Sequence, residues 1–303
     1  MRNAAFAALS CILCFPPAAL AEGRELLGYG RLFSNDFLGD GHDRWRSGGY
    51  AISRVQGFGW DGERPSEMGD LLEFRLRAEV LSPADIASPE PGDRRYAGAF
   101  SLGLHSHYLM DRTEVSLGGE LTFTGPQSGV GRFQQAAHEL LGMPEPNALD
   151  DQIENGVHPT VLLEMGRPLR FSPKLTVRPF VEGQAGAETF VRIGGDMILG
   201  SVAQTDLLIR DVPTGHLYRG TQAWDEGFSF VLGGDVAQVA SSVYLPPDEG
   251  YDLTGSRQRV RAGLHWQGVG GGSVFYGLTW LSKEFEAQPE GQTVGSLRLD
   301  FEF

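Results

Sequence analysis

The sequence predicts an all-β fold, a transmembrane antiparallel up-and-down β-barrel of about twelve strands with one short helix in an extracellular loop. Three observations point there. Apolar and polar residues alternate along many segments of ~9–11 residues, the length at which a tilted strand crosses a bilayer. Beyond the N-terminal region no run of ~20 apolar residues offers a helical span. The last segment, VGSLRLDFEF, puts Leu297, Leu299, Phe301 and Phe303 on one face and ends on an aromatic residue.

The first 21 residues read as a leader. Arg2 supplies a short positive start, AAFAALSCILCF an apolar centre, and Ala19 to Ala21 the small residues before a cut, so cleavage is expected before Glu22 and residues 22–303 form the barrel domain. Cys11 and Cys14 both lie in the leader, which leaves the exported chain without a thiol to mispair. The 303 residues suit one large domain. A formal charge of −14 argues against nucleic acid as a partner and suits cations or simple solubility.

Thirteen segments alternate well enough to be strands: 25–34, 47–58, 71–82, 97–109, 114–124, 158–171, 175–185, 188–200, 227–236, 238–246, 257–268, 273–285 and 294–303. In the third, Phe74, Leu76, Ala78 and Val80 oppose Glu73, Arg75, Arg77 and Glu79. The fifth sets Val115, Leu117, Leu121 and Phe123 against Glu114, Ser116, Glu120 and Thr122, and the eleventh sets Val260, Ala262, Leu264 and Trp266 against Arg259, Arg261 and His265. A soluble sheet with one wet face shows the same alternation, but rarely so many times. The last segment resembles the terminal strand of bacterial outer-membrane proteins. Bacterial barrels use even strand numbers, so twelve strands are expected, and at least one of the thirteen segments is wrong or two of them merge.

In an up-and-down barrel alternate connections share an end. With the N-terminus in the periplasm, 35–46 and 125–157 are extracellular, and the tight turns at 110–112 and 172–174 are periplasmic. Short inner turns and long outer loops fit the barrel rule. The stretch 59–70 is long for an inner turn.

Two outer segments carry chemistry. Asn35 and Asp36 close the first strand and Ser47 opens the second, offering an amide, a carboxylate and a hydroxyl. RFQQAAHELLG reads as a helix ending at Gly142, with Gln134 and His138 four apart on one face; Phe133, Ala137 and Leu140 are expected to pack behind them. Glu145, Asp150, Asp151 and Glu154 follow. Singly, each feature is ordinary for a loop. Together, oxygen ligands without cysteine suit Ca²⁺, and a histidine without a serine elbow suits general-base activation of water. The pair describes metal-assisted ester hydrolysis.

SNDF, DRWRSGG, DRRYAG (93–98), QQAAHELLG and DDQIEN (150–155), in this order, resemble the outer-membrane lipid A deacylase family. The specific motifs run from the first strand to about residue 155. The resemblance implies a twelve-stranded monomeric barrel in the bacterial outer membrane, with lipid A or lipopolysaccharide as substrate. It also implies a Ca²⁺-dependent site at the outer rim between the wall and a short helix, and removal of the 3'-linked acyloxyacyl group. Position by position it implies catalytic roles for His138 as general base, Asn35 and Gln134, and metal-binding roles for Asp36 and Ser47. The family's acidic residue after the helix falls on Pro144, and Glu145 takes its place with a shift of one. An aromatic precedes threonine where this chain has Arg46 and Ser47, a tryptophan stands where it has Leu149, and phosphate contacts fall to arginines such as Arg94 and Arg95. Two other readings compete: a non-enzymatic porin or structural barrel with a conducting lumen, and an esterase that uses Ser47 as nucleophile.

Overall fold

The computed structural model describes residues 23–221 and 225–300. The leader, Phe301 and Phe303 lie outside them. Strands β1 (Glu25–Asn35), β2 (Trp45–Gly57), β3 (Leu72–Ser82), β4 (Ala97–Met110), β5 (Thr113–Thr124) and β6 (Gly156–Gly166) follow one another antiparallel. β7 (Leu169–Ser172) continues β6 after a break at Pro168, which has no N–H to give the ladder. β8 (Leu175–Ala185) and β9 (Glu188–Gly200) come next, then the short pair β10 (Leu208–Arg210) and β11 (Leu217–Arg219). β12 (Gly227–Ser242), β13 (Arg257–Gln267), β14 (Ser273–Leu281) and β15 (Gln292–Asp300) complete the wall. β15 pairs with β1 through Phe33 and Leu297, closing a barrel of twelve staves in which β6 and β7 count as one.

The two segments expected at 227–236 and 238–246 are one strand, β12. Gly233 inside it does not mark a turn: a Cβ there would meet the Arg261 guanidinium and Asp196 at 2.5–2.6 Å, so the glycine makes room for a side chain in the lumen.

Exposure runs opposite to that of a soluble sheet. On β3, Phe74 and Leu76 are 37% and 44% exposed, whereas Arg75 and Arg77 are each 6% exposed. The apolar face meets lipid and the charged face fills the lumen, where most buried charges have a partner of opposite sign, although Asp211 accepts instead from Thr214. Arg75 Nε donates to Glu73 Oε1 at 2.6 Å, and Arg77 Nη2 to Glu120 Oε2 at 2.9 Å.

The lumen also holds a hairpin that the alternation does not reveal. The connection between β9 and β12 folds back inside as β10 and β11. Tyr218 Oη lies 2.9 Å from Ser53 Oγ on the wall, and Arg210 bonds Glu164 at 2.7 Å and Asp196 at 2.8 Å. Gly28 lets the hairpin approach, since a Cβ there would sit 2.5 Å from the Gly220 carbonyl. The long stretch 59–70 has a matching explanation. Trp60 Nε1 donates to the Thr205 carbonyl at 2.9 Å, Arg64 to that of Val115 at 2.8 Å, and Arg24 to that of Gly69 at 2.7 Å. This connection spans the periplasmic mouth beneath the hairpin. A filled lumen argues against the conducting barrel.

At the other end lie the connections after β1, β3, β5, β8, β12 and β14, as parity requires. The connection after β5 carries the helix α1 (Val130–Leu141).

Candidate active site

Asn35 is the last residue of β1 and faces outward, since Leu32 and Ser34 point into the lumen. Its Oδ1 accepts the N–H of Phe37 at 2.9 Å and caps the 3-10 turn Asp36–Leu38. That turn buries Asp36 completely. Asp36 Oδ2 accepts the N–H of Arg44 at 2.7 Å, and Oδ1 has no partner among the described residues. Burial pushes the carboxyl up to about 8; the Arg44 N–H opposes the rise, and nearby Asp43 and Asp40 add to it.

β2 begins on an irregularity. Trp45 holds a left-handed φ of 48°, and Arg46 and Ser47 together stand opposite one residue of β3, between the pairs Trp45–Ser82 and Gly48–Val80. Such a bulge re-aims side chains. Arg46 turns into the lumen, to Glu284 at 2.5 Å, Glu188 at 3.0 Å and Glu79 at 3.3 Å. This is a polar role for the position where the family carries an aromatic. Ser47 Oγ donates instead to Asp43 Oδ1.

α1 starts after left-handed Gly129 and stops at left-handed Gly142, with the Met143 N–H bonded to the His138 carbonyl at 2.9 Å. It packs against β3 and β4. Gly98 on β4 makes this possible, because a Cβ there would lie 3.1 Å from that of Val130. Gln134 and His138 are buried as one face. The expectation that Phe133 and Leu140 pack behind them is wrong, since they are 76% and 86% exposed. The helix turns Gln134 and His138 to the wall and leaves Phe133 and Leu140 exposed beside Arg132, Gln135 and Glu139.

His138 Nδ1 lies 2.7 Å from the Pro144 carbonyl, which can only accept, so Nδ1 carries a proton and the neutral ring has its lone pair on Nε2. Nε2 stands 3.3 Å from Asp43 Oδ2. Asp43 therefore accepts from Ser47 on the wall and forms an ion pair with His138 on the helix when the ring takes a proton on Nε2. It was legible only as part of DRWRSGG, four residues before the serine, and it is the functional candidate that sequence reasoning missed. The order serine, carboxylate, histidine also weakens the nucleophile reading, because the base does not touch the hydroxyl it would have to activate. Tyr96 closes the same corner. Its hydroxyl is buried without a partner among the described residues, and burial, then Asp43, push its ionisation upward.

Not every candidate converges. Glu145 is exposed, and among the described residues its carboxylate has no hydrogen-bond or ion-pair partner. Asp150 and Glu154 are exposed, and Asp151 pairs with Arg95 at 3.1 Å. Arg94 is buried against Glu284 at 2.7 Å and is not placed to receive a phosphate.

Among the described residues no three of His, Cys, Asp and Glu form a ready-made metal cluster. The oxygens present fit a calcium ion in another way. Asp36 Oδ1 and Gln134 Oε1 are buried acceptors that no donor satisfies, and Asp36 lacks a cationic partner. Hard oxygen donors of this kind, completed by amide, carbonyl or water oxygens, are what Ca²⁺ takes.

The family described as "Outer membrane protein LpxR" matches residues 6–303. Among solved structures, LpxR from Salmonella typhimurium superposes with a TM-score of 0.71 at 19% identity, over 90% of this chain and 100% of that one. The β domain of the Bordetella autotransporter BrkA gives 0.45 at 11% identity, over 92% and 100%. No curated protein matches the sequence. The barrel, the wall–helix site and the family match over nearly the whole chain place the protein in the bacterial outer membrane, and the chain belongs to the LpxR family of outer-membrane lipid A deacylases.

Proposed function

We propose that the protein is a calcium-dependent lipid A 3'-O-deacylase that hydrolyses the 3'-linked acyloxyacyl ester in the outer leaflet, with His138 as general base. The carrying observation is the fixed tautomer of His138. The Pro144 carbonyl holds Nδ1–H, so Nε2 is the atom that accepts a proton, and Asp43 at 3.3 Å stabilises the imidazolium that results. A water held beside Nε2 loses its proton there as it attacks the ester carbonyl. Asp36 and Gln134 are the residues that would hold calcium, with the Ser47 hydroxyl as a further oxygen donor. Bound there, the ion supplies positive charge against the developing oxyanion. Asn35 holds the turn that orients Asp36, since its own Oδ1 is spent on Phe37 N–H. Glu145 joins the site only if the loop after α1 turns inward.

Mass spectrometry of lipid A from cells expressing the protein tests this reading. Wild type should release the 3' acyloxyacyl group and a calcium chelator should stop it. His138→Ala should leave lipid A intact at equal barrel abundance. Deacylated lipid A from His138→Ala would overturn the mechanism, and channel conductance with intact lipid A from wild type would favour a non-enzymatic barrel.

A further inference from the structure

The segment that carries Asp36, Asp43 and Ser47 is fastened to β15 as well as to β2. β1 ends at Asn35, opposite Gly295, so the outer end of β15, Gln292 to Val294, has no β1 partner along that edge. The chain that follows β1 covers the unpaired edge. The Asp40 N–H donates to the Thr293 carbonyl at 3.2 Å, and Asp40 Oδ2 accepts the Thr293 N–H at 2.9 Å. Gln292 reaches further. It is 3% exposed, and its amide bonds only the backbone of Arg44 and Arg46. Oε1 accepts the Arg46 N–H at 2.9 Å, and Nε2 donates to the carbonyls of Arg44 at 3.0 Å and Arg46 at 3.3 Å.

That backbone is the part of the site least able to hold itself. Trp45, between the two clamped residues, is left-handed at φ 48°, a conformation that a bulky residue keeps only when its surroundings impose it. Arg44 supplies the N–H that orients Asp36 Oδ2 at 2.7 Å. Asp43, just before it, faces His138, and Ser47 follows Arg46. The Arg44 guanidinium also reaches the β14–β15 connection, at Glu290, but the Glu290 side chain is 62% exposed and such a pair contributes little in water. Packing of the Trp45 ring against Leu245, Tyr251 and Phe285 holds the ring, not the peptide groups on either side of it.

We propose that Gln292 is a positioning residue for the calcium site: its three hydrogen bonds set the Arg44–Arg46 backbone, and with it the direction in which Asp36 presents its free oxygen. Gln292 touches neither the ion nor the ester and acts through Arg44. The inference rests on the calcium-binding part of the deacylase reading.

Gln292→Met keeps the length of the side chain and removes all three bonds. In the full-length protein in detergent micelles, the amides of residues 43–47 should exchange with deuterium about tenfold faster than in wild type. The calorimetric Kd for calcium should rise about tenfold, roughly the net contribution of one or two hydrogen bonds. Saturating calcium should return kcat to within about twofold of wild type, with KM for lipid A unchanged. A residue that only stabilises the barrel would behave otherwise: activity would fall with the amount of folded protein, excess calcium would not restore it, and Kd would stay at the wild-type value. That pattern overturns the proposal, and so does unchanged exchange at residues 43–47, which would mean that the packing of Trp45 suffices. If Gln292→Met does not insert as a barrel, Gln292→Asn, which keeps the amide and shortens its reach by one methylene, carries the same expectations. Wild type that binds calcium but releases no acyl chain would end the deacylase reading alone and leave the comparison of Kd values in force. Wild type that binds no calcium would end both.

Discussion

Replacing Asp36 by asparagine keeps the shape of the side chain and removes its charge, and the surroundings of Asp36 set what should follow. The carboxyl is fully buried, keeps one N–H donor, and is raised from 3.8 to about 8. In the cation-free protein at pH 7 it is therefore protonated in about nine-tenths of molecules, whereas the unfolded chain has lost that proton. The sign follows. The raised value favours folding fully below the ordinary carboxylate range, and that contribution is lost as pH rises through about 8. A calcium ion held by Asp36 must expel the proton. Binding should release about 0.9 proton per ion at pH 7 and about 0.1 at pH 9, and apparent affinity should rise about tenfold per pH unit up to 8 and then level. Isothermal titration calorimetry in two buffers of unlike ionisation enthalpy, at both pH values, counts those protons. Asp36→Asn should show no linked proton and no calcium-dependent deacylation, with the barrel intact. Wild type that binds calcium without releasing a proton at pH 7, or an asparagine variant with the wild-type calcium response, would refute the reasoning.

Other outcomes are as specific. Asp43→Asn removes the charge beside Nε2 and should lower kcat by at least ~10-fold with little change in KM; steady-state release of acyl chains measures both, and an unchanged kcat would remove Asp43 from the mechanism. Asp196→Ala leaves Arg210 and Arg261 short of a shared partner, although Glu164 and Asp235 still hold them. The loss should sit near the low end of ~3–5 kcal/mol, read as a lower temperature for the heat-induced gel shift of the barrel. Gly98→Leu should displace the start of α1, where a Cβ already meets Val130 and Ser128 at 3.1 Å. Deacylation should fall while that gel-shift temperature stays put.

Period-two alternation made the wall legible, because a strand with lipid on one side and ion pairs on the other must write both faces in sequence, as Phe74 and Arg75 do. The inner hairpin was illegible for the same reason. β10 and β11 are three residues each and surrounded by protein on every side, so their side chains carry no two-faced pattern. The split of β12 at residue 237 was a false break, because spacing alone does not show that Ala237 continues the ladder to Arg257 and Arg192. At the site, motif and parity brought Asn35, Asp36, Ser47, Gln134 and His138 to one rim. Asp43 escaped because a loop aspartate has no signature until the bulge at Arg46 and Ser47 turns the serine toward it. The side of α1 that packs was misjudged because spacing shows which residues share a helix face but not which face meets the wall, and here Gln134 and His138 do.

The packed lumen has a consequence for the cell. A hollow barrel of this size would add a route for small solutes with every copy inserted, so expression would trade surface chemistry against permeability. Here the hairpin, its ion pairs and the Trp60 connection make each copy a solid post. Abundance can then follow the demand for lipid remodelling alone, and the membrane's resistance to antibiotics and detergents should be set by the altered lipid, not by the number of barrels that altered it.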